Sequence, residues 1–167
     1  MKSRLLCAVL LVAMLCALNS CSSGSSESVI PVSSPQTLVS YSYNDSELEA
    51  MNLINTYRIS LGLNALEKIN YISVKSEEHV VYMIKNNVVN HDDFVSRSES
   101  IVKYLGAKSV AENVAYNYAT PKAAVEAWLK SQGHKDNIEG NFTHFGIAIK
   151  EDPATGKKYY TNIFAKI

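Results

Sequence analysis

Residues 144–167 read HFGIAIKEDPATGKKYYTNIFAKI, and their apolar side chains recur at every second position. Phe145, Ile147 and Ile149 alternate with His144, Gly146 and Ala148, the period of a strand with two distinct faces. Asp152-Pro153-Ala154-Thr155-Gly156 then supplies turn chemistry. From Lys158 to Ile167 the alternation resumes, with Tyr160, Asn162 and Phe164 against Tyr159, Thr161 and Ile163. The spacing predicts a β-hairpin.

Upstream the period lengthens. Asn44-Asp45-Ser46 followed by Glu49 has capping-box character, and Leu48, Met51, Ile54, Tyr57 and Leu61 recur at helical spacing before Gly62. A helix is predicted over 45–61. A second covers about 70–88, with Ile72, Ser76, His79, Val80 and Met83 on one stripe. A third starts at the N-cap Thr120 and the favoured first-turn proline Pro121, and runs through Ala124, Ala127, Trp128 and Ser131 to Gly133. Arg97 to Leu105 reads as a shorter one. Helices that precede an antiparallel hairpin and cover the faces of its sheet give an α+β fold.

The chain has 167 residues, with 16 Lys and Arg balancing 16 Asp and Glu, and no block of consecutive basic residues. That balance excludes the electrostatic footprint of a nucleic-acid binder. Its three cysteines, Cys7, Cys16 and Cys21, all precede residue 22, which excludes a disulfide scaffold, a thiolate zinc site and a cysteine nucleophile from the rest. Lys2 and Arg4 followed by the apolar run Leu5 to Leu18 form a secretory signal over 1–20, too short to span a bilayer. Leu18-Asn19-Ser20-Cys21 resembles a bacterial lipobox, in which the cysteine is lipidated and becomes the mature N-terminus. An ordinary signal cleaved near Ser20 is the alternative. Residues 21–43 then form a lipidated cysteine and a tether whose Ser- and Pro-rich part, 22–40, contains eight serines. The folded domain is expected over 44–167.

No P-loop, dinucleotide glycine fingerprint, H-E-x-x-H or G-x-S-x-G sequence is present. The remaining chemistry is histidine. His91 follows the second helix, His134 the third, and His144 opens the hairpin, all at segment ends where side chains can converge. His79 lies mid-helix and reads as a partly buried core histidine bonded to a neighbour.

Four segments in order resemble the CAP superfamily of cysteine-rich secretory proteins, antigen 5 and pathogenesis-related 1 proteins. They are His91 in NNVVNHDDF, Ala111-Glu112-Asn113-Val114-Ala115, the run Ala127 to Ile138 containing Gly133-His134-Lys135, and Asn141 to Ala148 containing His144. Tyr160 to Ala165 fits the same pattern, which is similar to a bacterial member. The resemblance implies a three-layer α-β-α sandwich with an antiparallel sheet flanked by helices. It also implies a cleft holding two histidines and two acids, to which His91, Glu112 and His144 correspond. Where animal members often have the second acid this chain has Ser131, with His134 nearby, so the cleft is expected to hold His91, Glu112, Ser131, His134 and His144.

Imidazoles are common ligands of Zn(II), so His91 and His144 would bind zinc weakly, with Glu112 orienting a ring. The same groups could exchange protons. The resemblance favours a binding module, anchored to a membrane through Cys21 and displayed on the outer membrane or cell surface. Its ligand would be a lipid or sterol, a peptide, a glycan, or a host or envelope macromolecule, and the module is expected to be a monomer. A hydrolase using His91, Glu112 and His144, and a structural envelope protein with a vestigial cleft, are the alternatives.

Overall fold

The computed structural model describes residues 39–167. Cys21, the signal and most of the tether lie outside the described residues. The described elements run α1 (Asp45–Ser60), β1 (Glu67–Lys68), α2 (Asn70–Asn86), α3 (Phe94–Leu105), β2 (Ser109–Tyr116), α4 (Pro121–Lys130), α5 (Gln132–Glu139), β3 (His144–Glu151) and β4 (Lys158–Lys166). The hairpin of β3 and β4 forms the middle of one sheet, ordered β1-β3-β4-β2. β2 adds antiparallel to β4, and the two-residue β1 adds parallel to β3. The sheet is therefore mixed, with one parallel pair that the alternation pattern does not announce.

Strand parity assigns the faces. Phe145, Ile147, Ile149, Tyr160 and Phe164 point to α1, α4 and α5, where Ile54, Trp128 and Ile138 complete one core. Ala148, Tyr159, Ile163 and Ala165 point the other way, to Ile72, Val80 and Met83 of α2 and Ile101 of α3. The result is a three-layer α-β-α sandwich.

α1 differs from its predicted stripe. Its capping box pairs Asn44 with Glu47, not Glu49, and Glu47 Oε1 also accepts from Ile149 N at 2.9 Å. At the other end Arg58 is fully buried and donates to the carbonyls of Ile138 at 2.6 Å and Gly140 at 2.9 Å. Buried charged groups at both ends rotate the helix so that Leu48 and Leu61, expected inward, are exposed. Gly146 lets α2 approach the sheet, because a Cβ there would collide with the Ile72 and Ser73 backbone.

The third predicted helix breaks in two. α4 stops at Lys130, Ser131 is extended (φ −102°, ψ 117°), and α5 restarts at Gln132. His134 thus lies within α5 rather than after a helix end.

Candidate functional site

β2 is the outer strand on its side of the sheet, and the site is built along it. Glu112 on β2 is buried, which costs heavily unless its charge is matched. Arg97, one turn before Ile101 on the inward stripe of α3, matches it with two parallel bonds: Nε to Oε2 and Nη2 to Oε1, both 2.9 Å. Oε1 also accepts from His91 Nδ1 at 2.9 Å. His91 is then the neutral Nδ1–H tautomer or the imidazolium, and in the former its Nε2 carries a lone pair. Its side chain is 49% exposed, in contrast to the buried carboxylate it grips.

The loop presenting His91 is fixed from both sides. Asn87 ends α2 in the left-handed region (φ 53°), Arg97 Nη1 donates to Asp92 O at 2.6 Å, and His79 Nε2 donates to Asn90 O at 2.8 Å. A carbonyl only accepts, so His79 Nε2 carries the proton. Burial, the main cause, holds His79 below the ordinary imidazole range, partly offset by this hydrogen bond and by Glu112, whose Oε1 is 3.9 Å away. His79 is the core histidine bonded to a neighbour that the sequence suggests, and it also supports the His91 loop.

The other wall comes from α4 and α5. Asn113 faces away from Glu112 and donates to His134 O at 2.9 Å, while Asn137 Nδ2 donates to Asn113 Oδ1 at 2.8 Å and reaches Glu112 O at 3.3 Å. These bonds hold α5 against the strand, and the His134 imidazole lies within electrostatic reach of His91. Burial first, and then repulsion from His91, push the His134 imidazole below its usual value. His134, Ser131, Trp128, Tyr116 and Tyr118 line a cavity of about 240 Å3 between α4, α5 and β2.

His144 is not part of this constellation. It lies opposite Ala165, which lies opposite Val110, so β4 separates it from β2 by two strand spacings, roughly 10 Å. Its Nδ1 is 2.8 Å from Thr143 Oγ1 and its Nε2 3.8 Å from Glu67 at the opposite edge. The structure brings together His91, Glu112, Ser131 and His134 of the expected set, and replaces His144 by Arg97 and His79. The pair His91 and His144, implied as zinc ligands, is thus separated, and both Glu112 oxygens are engaged. No group of three or more His, Cys, Asp or Glu side chains among the described residues is arranged to hold a metal ion. His91 and His144 therefore do not form the implied zinc pair, and no chemistry is derived through a metal.

The pattern of the cysteine-rich secretory protein family, CAP, matches residues 51–164. An uncharacterized membrane protein of Bacillus subtilis, YlbC, is 33% identical over 128 residues, covering 72% of this chain and 34% of that protein. A second B. subtilis protein, uncharacterized YkwD, is 30% identical over 123 residues, 71% of this chain and 46% of that one. The chain thus spans less than half the length of either curated relative. An outer surface protein from Borrelia burgdorferi has the same fold, with a TM-score of 0.67 at 20% identity over 75% of this chain and 96% of that one. An extracellular protein of Bacillus anthracis containing an SCP domain gives a TM-score of 0.63 at 23% identity, over 77% and 45% of the two chains. With the four motifs in order, the sandwich around them and the match to most of the folded region, this chain belongs to the cysteine-rich secretory protein (CAP) family.

Proposed function

We propose that this CAP domain is an outward-facing binding module, held to a membrane by lipid on Cys21, whose cleft along β2 takes a segment of an extended ligand. The observation behind this reading is the Arg97–Glu112–His91 set. A buried ion pair fixes one imidazole by Nδ1 and leaves that half-exposed ring within electrostatic reach of His134, which itself lines an aromatic-walled cavity. The cavity of about 240 Å3 beside His134 falls short of the ~300–1,000 Å3 of pockets that enclose whole small molecules, whereas a second one of about 680 Å3 is lined by His91, Asp93, Phe94 and Val95, so a long ligand with one group inserted beside His134 and the rest along the His91 side suits the pair of cavities.

A second reading has its own observation. An imidazole held by a carboxylate through Nδ1 is oriented as a general base, and His134 could return the proton. No Ser or Thr hydroxyl among the described residues is hydrogen-bonded to the ring of His91 or His134, so the nucleophile would have to be water.

The cleft reading is tested by mass spectrometry of small molecules and fragments that co-purify with the full chain. Material held by wild type and by His144→Ala is expected to disappear from the double variant His91→Ala, His134→Ala. Equal retention by all three would refute a ligand site on β2. The anchor is tested separately. A palmitate analogue should label wild type and not Cys21→Ala, since several acyl chains hold a protein on a membrane more firmly than one. Equal labelling, or none in either, would remove the lipoprotein assignment. No helix of the described residues is long and apolar enough to cross a membrane.

A further inference from the structure

The side chains of the cleft leave part of its floor to the backbone. Asn117 N donates to Lys158 O, in register with the β2–β4 ladder. The odd-numbered residues of β2 therefore turn their N–H and C=O groups toward β4, and Glu112, Val114 and Tyr116 turn theirs outward. Two side-chain contacts agree with this parity. Trp128 Nε1 donates to Val114 O at 2.8 Å, and Asn137 Nδ2 donates to Glu112 O at 3.3 Å.

The consequence is an asymmetric edge. Its carbonyls at 112 and 114 are already capped by the second wall of the cleft, whereas no acceptor among the described residues meets the N–H groups of Val114 and Tyr116. A complete added strand would need both donors and acceptors, and Trp128 and Asn137 stand where its own N–H groups would bond. A ligand that brings acceptors alone fits. Val114, Tyr116 and His134 all line one cavity, and the two outward donors are two residues apart, roughly 7 Å, the repeat of acceptors on an extended peptide.

We propose that the outward N–H groups of Val114 and Tyr116 form a donor-only ledge that binds the carboxylate end of an extended peptide, its terminal carboxylate and a preceding carbonyl taking the two donors beside His134. The inference rests on the binding reading of the cleft and names its ligand class. Hydrogen bonds to a charged acceptor are the stronger kind, and a strand edge whose free backbone groups are donors alone selects for it.

The test uses the 15N-labelled full chain with three probes: N-acetyl-trialanine with a free carboxylate, the same peptide as its C-terminal amide, and inorganic phosphate. The acid is expected to move the backbone amide resonances of Val114 and Tyr116 together with the His134 ring, the amide peptide to bind about tenfold more weakly, and phosphate to leave them in place. Tyr116→Pro removes one outward N–H at an edge position where proline is tolerated, and Tyr116→Ala removes the same ring while keeping that N–H. Tyr116→Pro should therefore bind the acid about tenfold more weakly than Tyr116→Ala. If the proline variant does not fold, the amide shifts of wild type decide alone. Movement of the His91 and His134 rings with still amides at 114 and 116 would overturn the ledge and leave the binding module standing. Equal binding of acid and amide, an equal response to phosphate, or no response to any probe would overturn the peptide-carboxylate assignment.

Discussion

Replacing Arg97 with Met is expected to lower the unfolding free energy by about 3–5 kcal/mol, because it strands the buried carboxylate of Glu112 without its main counter-charge. The lost hydrogen bond to Asp92 O would also loosen the loop that presents His91. The most informative feature is rescue. In the double variant Arg97→Met, Glu112→Leu no charge is left unmatched, so much of the loss should be recovered even though the His91 anchor is gone. Urea unfolding of wild type, both single variants and the double variant measures this. A loss below about 1 kcal/mol for Arg97→Met would mean that the pair is hydrated and does not organise the cleft.

Trp128→Ala is expected to cost a similar amount, also about 3–5 kcal/mol, for a different reason. The ring is fully buried between α1, α4 and the sheet, so truncation leaves a cavity in the larger core. It also frees Val114 O, which Trp128 Nε1 now caps at 2.8 Å. Because the same ring walls the β2 cleft, any ligand bound there should be lost along with stability. Trp128→Phe separates the two contributions. It retains most of the volume and loses the hydrogen bond, so it should sit well above Trp128→Ala in chemical denaturation. Equal losses for Phe and Ala would mean that the hydrogen bond, and not the packing, carries the effect.

Three helices are legible because each pairs a single buried face with a regular period, and the hairpin, although buried on both faces, because two strand-like runs flank the turn chemistry of Asp152 to Gly156. β2 is not legible as a strand, since SVAENVAY places the polar Glu112 and Asn113 at successive buried positions where a strand pattern would require apolar groups. Both are buried because partners arrive from distant segments: Arg97 and His91 for one, His134 O and Asn137 for the other. The break at Ser131 has no signal in the sequence for a local reason. Neither proline nor a left-handed residue marks it, and Gly133, which reads as a stop, lies inside α5.

The site was legible in part. His91, Glu112 and His134 could be named from motifs, but their grouping depends on strand order, which places His144 on the far side of β4. Arg97 lies in none of the family motifs, although its position carries a trace of its role. It stands four residues before the buried Ile101 on the inward stripe of a short helix, and an arginine in such a place needs a buried acceptor. The family also carries a name that this domain does not illustrate, because no cysteine occurs beyond Cys21. Its stability must come from the two cores and the buried ion set.

The central claim is that His134, and not His144, shares the β2 cleft with His91 and Glu112. It is tested most directly by following the imidazole nitrogens through a pH titration, using long-range 1H–15N NMR on the full chain and on His91→Ala. In wild type His134 should titrate below the ordinary imidazole value, held there by burial and by the charge of His91. Removing His91 eliminates a like charge, so protonation of His134 becomes easier and its midpoint should rise, while staying depressed because burial persists. The His144 resonances should be unaffected by the substitution. A His134 midpoint that does not move, with His144 responding in its place, would contradict the account.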